Sequence, residues 1–238
     1  DLGSQMRALF IEHDHASPAG PVGERFRQRG YEVVEQIVVP PESFDSPNVE
    51  FTYPQPQDFD VIVTMGAPWG AWDDDSIGQW LLPEMQWLQD ADTAGIPVLG
   101  ICFGGQLLAR AHGGTVSRSS RPEIGWSTVW SEIPELTGQW FQFHYDNWKT
   151  PAGAQELARN SCAPQAFALR KNLALQFHPE VVGTTLITWL ELGGRAQVEE
   201  DGQDPEILIE HTTALDAIST QRAFDLVDYF IDNFASAT

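Results

Sequence analysis

The chain has 238 residues, enough for one or two domains at roughly 150 residues each and for a sizeable buried core. Thirteen Lys plus Arg stand against 34 Asp plus Glu, a formal net charge of −21 that repels phosphate backbones and anionic headgroups, so nucleic acid and membrane surfaces drop out as partners. A hydrophobic content of 42%, with nine Trp and thirteen Phe, excludes a disordered chain.

DLGSQ, ahead of Met6, reads as an expression-tag remnant, which leaves residues 6–238 as one domain. The run MRALFIEH (6–13) is short and apolar and meets a Ser-Pro-Ala-Gly-Pro turn cluster, as a buried strand does. Residues 22–30 space Val22 and Phe26 four apart and end in Gly30, which predicts a helix closed by its C-terminal glycine. Next come YEVVEQIVV (31–39), a Pro-rich loop over 40–56, DVIVTM (60–65), a helical segment near 79–94 and IPVLGI (96–101). Asp73, Asp74 and Asp75 read as a charge run at a helix start, where the macrodipole favours anions. Alternating helices and continuously apolar strands predict a mostly parallel sheet with helices on both faces, a three-layer α/β fold. After Gly113 the segments TVSRS, EIGWSTVW, QWFQFHY, AFALR and LALQFH read as short strands of a small additional β-region. The acidic stretch 199–206 reads as a solvated loop, and residues 214–234 as an amphipathic helix packing back on the sheet. No apolar run of about 18 residues occurs. Two cysteines, Cys102 and Cys162, are too few for a disulfide framework or a structural zinc site, which suits a reducing compartment and predicts a cytoplasmic protein.

The chemistry concentrates in GICFGGQ (100–106), between a predicted strand and a predicted helix. A nucleophile elbow needs small neighbours, which Gly100 and Gly104 supply, and the N-terminus of the following helix favours a thiolate at Cys102. On the glycines alone a buried structural cysteine is as good a reading. FHPE (177–180) adds a second part: a strand end delivers His178, which can take a thiol proton and return it to a leaving amine, while Glu180 orients the ring. His13, Asp14 and His15 do not read as a metal site, because adjacent residues on a strand cannot all face one ion; they read as a loop lip at the site edge, and no metal is expected.

Together GICFGGQ and FHPE resemble the class I glutamine amidotransferases, the Cys-His-Glu group. MGAPWGAWDD (65–74) is similar to the family's oxyanion loop, RPEIGW (121–126) to its Glu-x-Gly segment and FHYDNWKTPAGAQELA (143–158) to its His-Gly-Asp stretch, and QAFAL (165–169) also fits. The likeness runs from about residue 6 to residue 183, and its branch resembles the stand-alone proteins similar to the amidotransferase domain of GMP synthase. It implies a flavodoxin-like fold, no cofactor, Cys102 as nucleophile, His178 as general base then acid, and Glu180 as orienting carboxylate. It implies backbone N–H groups of Ala67 and Phe103 for the oxyanion, and Gly66, Gln106, His144, Tyr145 and Asp146 around the substrate. Two departures bear on the pocket. The second glycine of the oxyanion turn is Ala67, and a Tyr stands at 145 where the family often has Gly. A tyrosine there reshapes the pocket for glutamine; Trp69 and Trp72 either wall a site for something larger or pack on the surface, and His144 and Asp146 are open to a loop-stabilising role. The implied reaction is hydrolysis of the γ-amide of glutamine or a γ-glutamyl compound through a Cys102 thioester. With 58 residues after FHPE, the expected ammonia acceptor is a separate synthetase chain. The alternatives are a free-standing γ-glutamyl hydrolase acting on a bulkier amide, and a non-catalytic glutamine-sensing or partner-dependent subunit.

Overall fold

The computed structural model describes residues 5–236. The expected tag remnant therefore lies outside the described residues except for Gln5, an exposed residue ahead of the first strand. The first half alternates as its apolar pattern requires: β1 (Met6–Glu12), α1 (Gly20–Gln28), β2 (Tyr31–Ile37), β3 (Val61–Thr64), α2 (Asp74–Thr93), β4 (Val98–Ile101) and α3 (Phe103–Ala111). Then follow β5 (Thr115–Ser131), β6 (Gly138–Lys149), β7 (Gln155–Arg159), β8 (Pro164–Leu169) and β9 (Asn172–Leu175), and four helices close the described chain: α4 (Gly183–Trp189), α5 (Arg195–Glu200), α6 (Pro205–Ala214) and α7 (Asp216–Phe230).

All nine strands form one mixed sheet in the order β2-β1-β3-β4-β9-β8-β7-β5-β6. The pairs from β2 across to β9 are parallel and those beyond β9 antiparallel. The parallel half has the flavodoxin-like order, in which ligands bind outside the carboxyl ends of the strands. Strand periodicity divides the core. Ala8 and Phe10 of β1 face one layer with Phe26 of α1 and Phe230 of α7, while Leu9 and Ile11 face the other with Trp80 and Leu88 of α2 and Leu107 of α3. Each fully buried side chain of this kind contributes about 1.5–3 kcal/mol.

Several elements differ from the sequence expectations. The second helix begins at Asp74 rather than near 79, because Asp73 caps it by accepting from the Ser76 N–H at 3.3 Å. TVSRS and EIGWSTVW are one strand, β5, interrupted by a register shift between Arg118 and Glu123. QELAR, too polar to show alternation, forms β7. The acidic stretch is the end of α5 and the start of α6, joined by a short turn; Asp204 caps α6 by accepting from the Glu206 N–H at 2.9 Å, and its charged side chains stay in solvent. The flanking residues 183–198, unassigned from sequence, are mostly helical, with a kink where Gly193 adopts φ 111°. No described helix is long and apolar enough to cross a membrane.

Candidate active site

The carboxyl ends of β3, β4 and β9 converge on one cleft. Between β4 and α3 the chain turns so sharply that Cys102 takes φ 54°, ψ −105°, a left-handed value that a non-glycine residue seldom adopts. The turn closes only because Gly104 lacks a side chain, since a Cβ there would lie 2.0 Å from the Thr64 carbonyl oxygen. The Cys102 N–H donates to the Leu175 carbonyl at 2.8 Å, which ties the turn to the end of β9. The Cys102 Sγ accepts from Gln176 Nε2 at 3.6 Å and faces the Phe143 carbonyl at 3.9 Å.

His178 follows β9 by three residues, and its N–H donates to the Phe141 carbonyl at 2.8 Å, so the β5–β6 ribbon buttresses it. Its Nδ1 lies 3.1 Å from both Glu180 carboxylate oxygens, with both side chains buried. Burial alone would push the imidazole down, but the charges of the Cys102 sulfur and the Glu180 carboxylate outweigh it and hold it well above its ordinary value. Trp189 of α4 stands edge-on against the His178 ring at 5.1 Å between centroids, and its indole N–H reaches the Ala16 carbonyl at 2.9 Å. Across the cleft, the turn after β3 brings Gly66 so close that a Cβ there would lie 3.0 Å from His178 Cε1. The N–H groups of Ala67 and Phe103, which both line the cavity, have no partner among the described residues.

The cavity has a volume of about 550 Å³. Cys102, His178, Ala67, Phe103, Gln106, His144, Tyr145 and Asp146 all line it; Gly66 touches it through His178, and Glu180 stands behind His178. Gln106 is buried and its amide donates to the Asp146 carbonyl at 3.0 Å and to Gln176 Oε1 at 3.2 Å, linking the loop at 143–146 to the side chain that contacts Cys102. Both His144 ring nitrogens are engaged internally: Nδ1 with the Asp146 carbonyl at 3.0 Å, and Nε2 with Gln142 Oε1 and Glu123 Oε2, each at 3.0 Å. Burial raises the Glu123 carboxyl, but His144, Asn160 and Gln165 together hold it below its ordinary value. Burial pushes the Asp14 and Asp146 carboxyls at the cavity edge up. Tyr145 lies under the Arg118 guanidinium at 4.9 Å. Trp69 packs on the buried Trp80 and lines the cavity, and Trp72 lines it beside Gly70. Cys162 is exposed and away from this cleft.

Sequence reasoning missed Gln176, Arg118 and Trp189, which reach the site through strand register and the unassigned helical segment. It also misplaced His13. That residue is no loop lip: its ring is fully buried against the Glu84 carboxylate, because the polar stretch after β1 is covered by α2. Among the described residues no three His, Cys, Asp or Glu side chains are arranged to hold a metal ion.

Residues 81–191 match the family model described as glutamine amidotransferase class-I. The chain is similar to the glutamine-hydrolysing GMP synthase of Thermomicrobium roseum, 35% identical over 138 residues that make up 52% of this chain and 24% of that protein. It is also similar to the GMP synthase of Rhodopseudomonas palustris, 31% identical over 200 residues, 77% of this chain and 31% of the other. The matches thus span about a quarter to a third of the length of these relatives. Among solved structures, a glutamine amidotransferase from Thermotoga maritima superposes with a TM-score of 0.80 at 24% identity, covering 97% of this chain and all of the other. Another from Methylobacillus flagellatus gives 0.81 at 22% identity, covering 99% and 98%. These two likenesses are of fold.

Proposed function

The chain is a member of the class I glutamine amidotransferase family, and from that premise we propose that it hydrolyses the γ-amide of glutamine or of a γ-glutamyl compound through a thioester on Cys102. The single observation that carries the reading is the meeting of a strained cysteine, a buried histidine and its carboxylate at the carboxyl ends of β4 and β9. The Cys102 sulfur, having given its proton to His178, attacks the amide carbon. The tetrahedral oxyanion sits on the N–H groups of Ala67 and Phe103, whose fixed dipoles are worth roughly 3–4 kcal/mol per donor. Collapse expels ammonia or an amine, which takes the proton from His178, and leaves the thioester. Water, deprotonated by His178, then attacks the acyl carbon and releases glutamate and the thiol. Glu180 holds the imidazole in orientation and stabilises its cationic form. The amino-acid end of the substrate lies against Gly66, Gln106 and the backbone at His144, Tyr145 and Asp146, with the His144 ring bracing that loop from behind.

Where ammonia is the product, a synthetase consumes it as the acceptor enzyme, and the two unpaired cysteines suit a cytoplasmic setting. A second reading, a free-standing hydrolase of bulkier γ-glutamyl amides, is favoured by the cavity itself. Its 550 Å³ lies in the range that holds drug-sized ligands, and Trp69, Trp72, Tyr145 and Trp189 give a leaving group apolar surface to meet. Glutamate release from a panel of glutamine and γ-glutamyl amines tests both readings, with Cys102→Ala and Cys162→Ala alongside. Release should vanish in the first variant and persist in the second; turnover by a folded Cys102→Ala protein would refute the thioester.

A further inference from the structure

Behind the oxyanion turn lies a buried charged pair that the reaction itself does not touch. His13, just past the end of β1, has no exposed surface, and neither does Glu84 of α2. His13 Nε2 is 2.8 and 3.1 Å from the two Glu84 carboxylate oxygens, and Nδ1 is 3.2 Å from the Gly66 carbonyl oxygen. The Tyr53 hydroxyl donates to Glu84 Oε1 at 2.8 Å and the Thr64 hydroxyl to Oε2 at 2.7 Å, which fixes the carboxylate from the loop before β3 and from β3 itself. The imidazole stacks on Trp80 at 5.3 Å and tilts against Phe103 at 4.7 Å. Both of its nitrogens therefore face atoms that only accept, and the ring donates from both. Burial opposes that charge, but Glu84 outweighs it and raises the imidazole above its ordinary value.

The Gly66 carbonyl belongs to the same planar peptide unit as the Ala67 N–H. In a trans unit the two point in opposite directions, so whatever holds the oxygen also aims the hydrogen. Among the described residues His13 is the only partner of that oxygen. We infer that His13 and Glu84 are positioning residues of the oxyanion hole: the His13 ring pins the Gly66 carbonyl on the side away from the cleft and thereby holds the Ala67 N–H toward the substrate carbonyl. This rests on the hydrolase reading above and adds to it a device that fixes one peptide's orientation through a residue 53 positions away. The rings of His13 and Phe103 also touch, so one buried imidazole bears on both arms of the hole.

The test compares two rates at Cys102 in a Cys162→Ala background. Amide hydrolysis passes through an oxyanion; alkylation by iodoacetamide, in which sulfur displaces iodide, does not. The double variant His13→Phe, Glu84→Gln keeps an aromatic ring between Trp80 and Phe103 and leaves no buried charge unpaired. Its kcat should fall about 10²-fold or more, as on loss of an oxyanion donor, with alkylation at the wild-type rate. An unchanged kcat in the double variant overturns the inference, and so does a parallel fall of kcat and alkylation, which marks a structural role. Crystals of the double variant supply a readout independent of turnover: the Gly66 carbonyl should leave its place, and a carbonyl that stays overturns the inference. A wild-type protein that hydrolyses no γ-glutamyl amide would strike at the hydrolase reading instead, with the carbonyl still deciding this one.

Discussion

Glu12 ends β1 one residue before His13, is 5% exposed, and has a carboxylate oxygen with no partner among the described residues. Burial, then the charges of Glu35 on β2 and of Asp14, push its carboxyl from 4.5 to about 8. The native state therefore holds a proton that the unfolded chain releases, and stability falls as pH rises through that interval and levels off above it. At about 1.4 kcal/mol per pH unit, the loss reaches about 3 kcal/mol at pH 7 and about 5 kcal/mol above pH 8. Solvent at the outer edge of the carboxylate trims both figures. Glu12→Gln does not titrate in this window. Urea unfolding of both proteins at pH 5, 7 and 8.5 should show the variant near wild type at the lowest pH and progressively more stable above it. A stability difference that stays constant with pH would refute the reasoning, as would a variant less stable than wild type at pH 8.5.

Gly104→Ala would drive a methyl group into the Thr64 carbonyl, a backbone atom that cannot swing aside. Overpacking of about 1–3 kcal/mol at this chain length should lower Tm by at least about 2 °C, and an unchanged Tm in a melting scan would contradict the close approach of β3 and α3. Tyr145→Gly, which removes a side chain from the cavity wall, should raise kcat/KM for glutamine relative to an aromatic γ-glutamyl amide; equal ratios in wild type and variant would separate Tyr145 from specificity.

The site was most legible where its chemistry is local. The glycines flanking Cys102 follow from the strain of the turn, and His178 and Glu180 are two residues apart, so short strings carry them. The parallel half was legible because its central strands β3 and β4, buried on both faces, are almost continuously apolar. What sequence concealed depends on pairing across long separations. His13 meets Glu84 71 residues on, and Gln176 reaches Cys102 across 74. The helical segment containing Trp189 has no N-cap side chain at its start and a kink in its middle, which erased the usual start and period signals. TVSRS and EIGWSTVW read as two strands because the residues around Pro122 break the pattern; they are one long strand, β5, with a register shift.

The thioester is tested most directly by partition. Hydroxylamine intercepts an acyl-enzyme after the leaving group has gone, so at a fixed concentration the ratio of γ-glutamyl hydroxamate to glutamate should be the same from glutamine and from an aromatic γ-glutamyl amide, and Cys102→Ala should form neither product. A ratio that changes with the leaving group, or hydroxamate formed by Cys102→Ala, would contradict a common intermediate on Cys102.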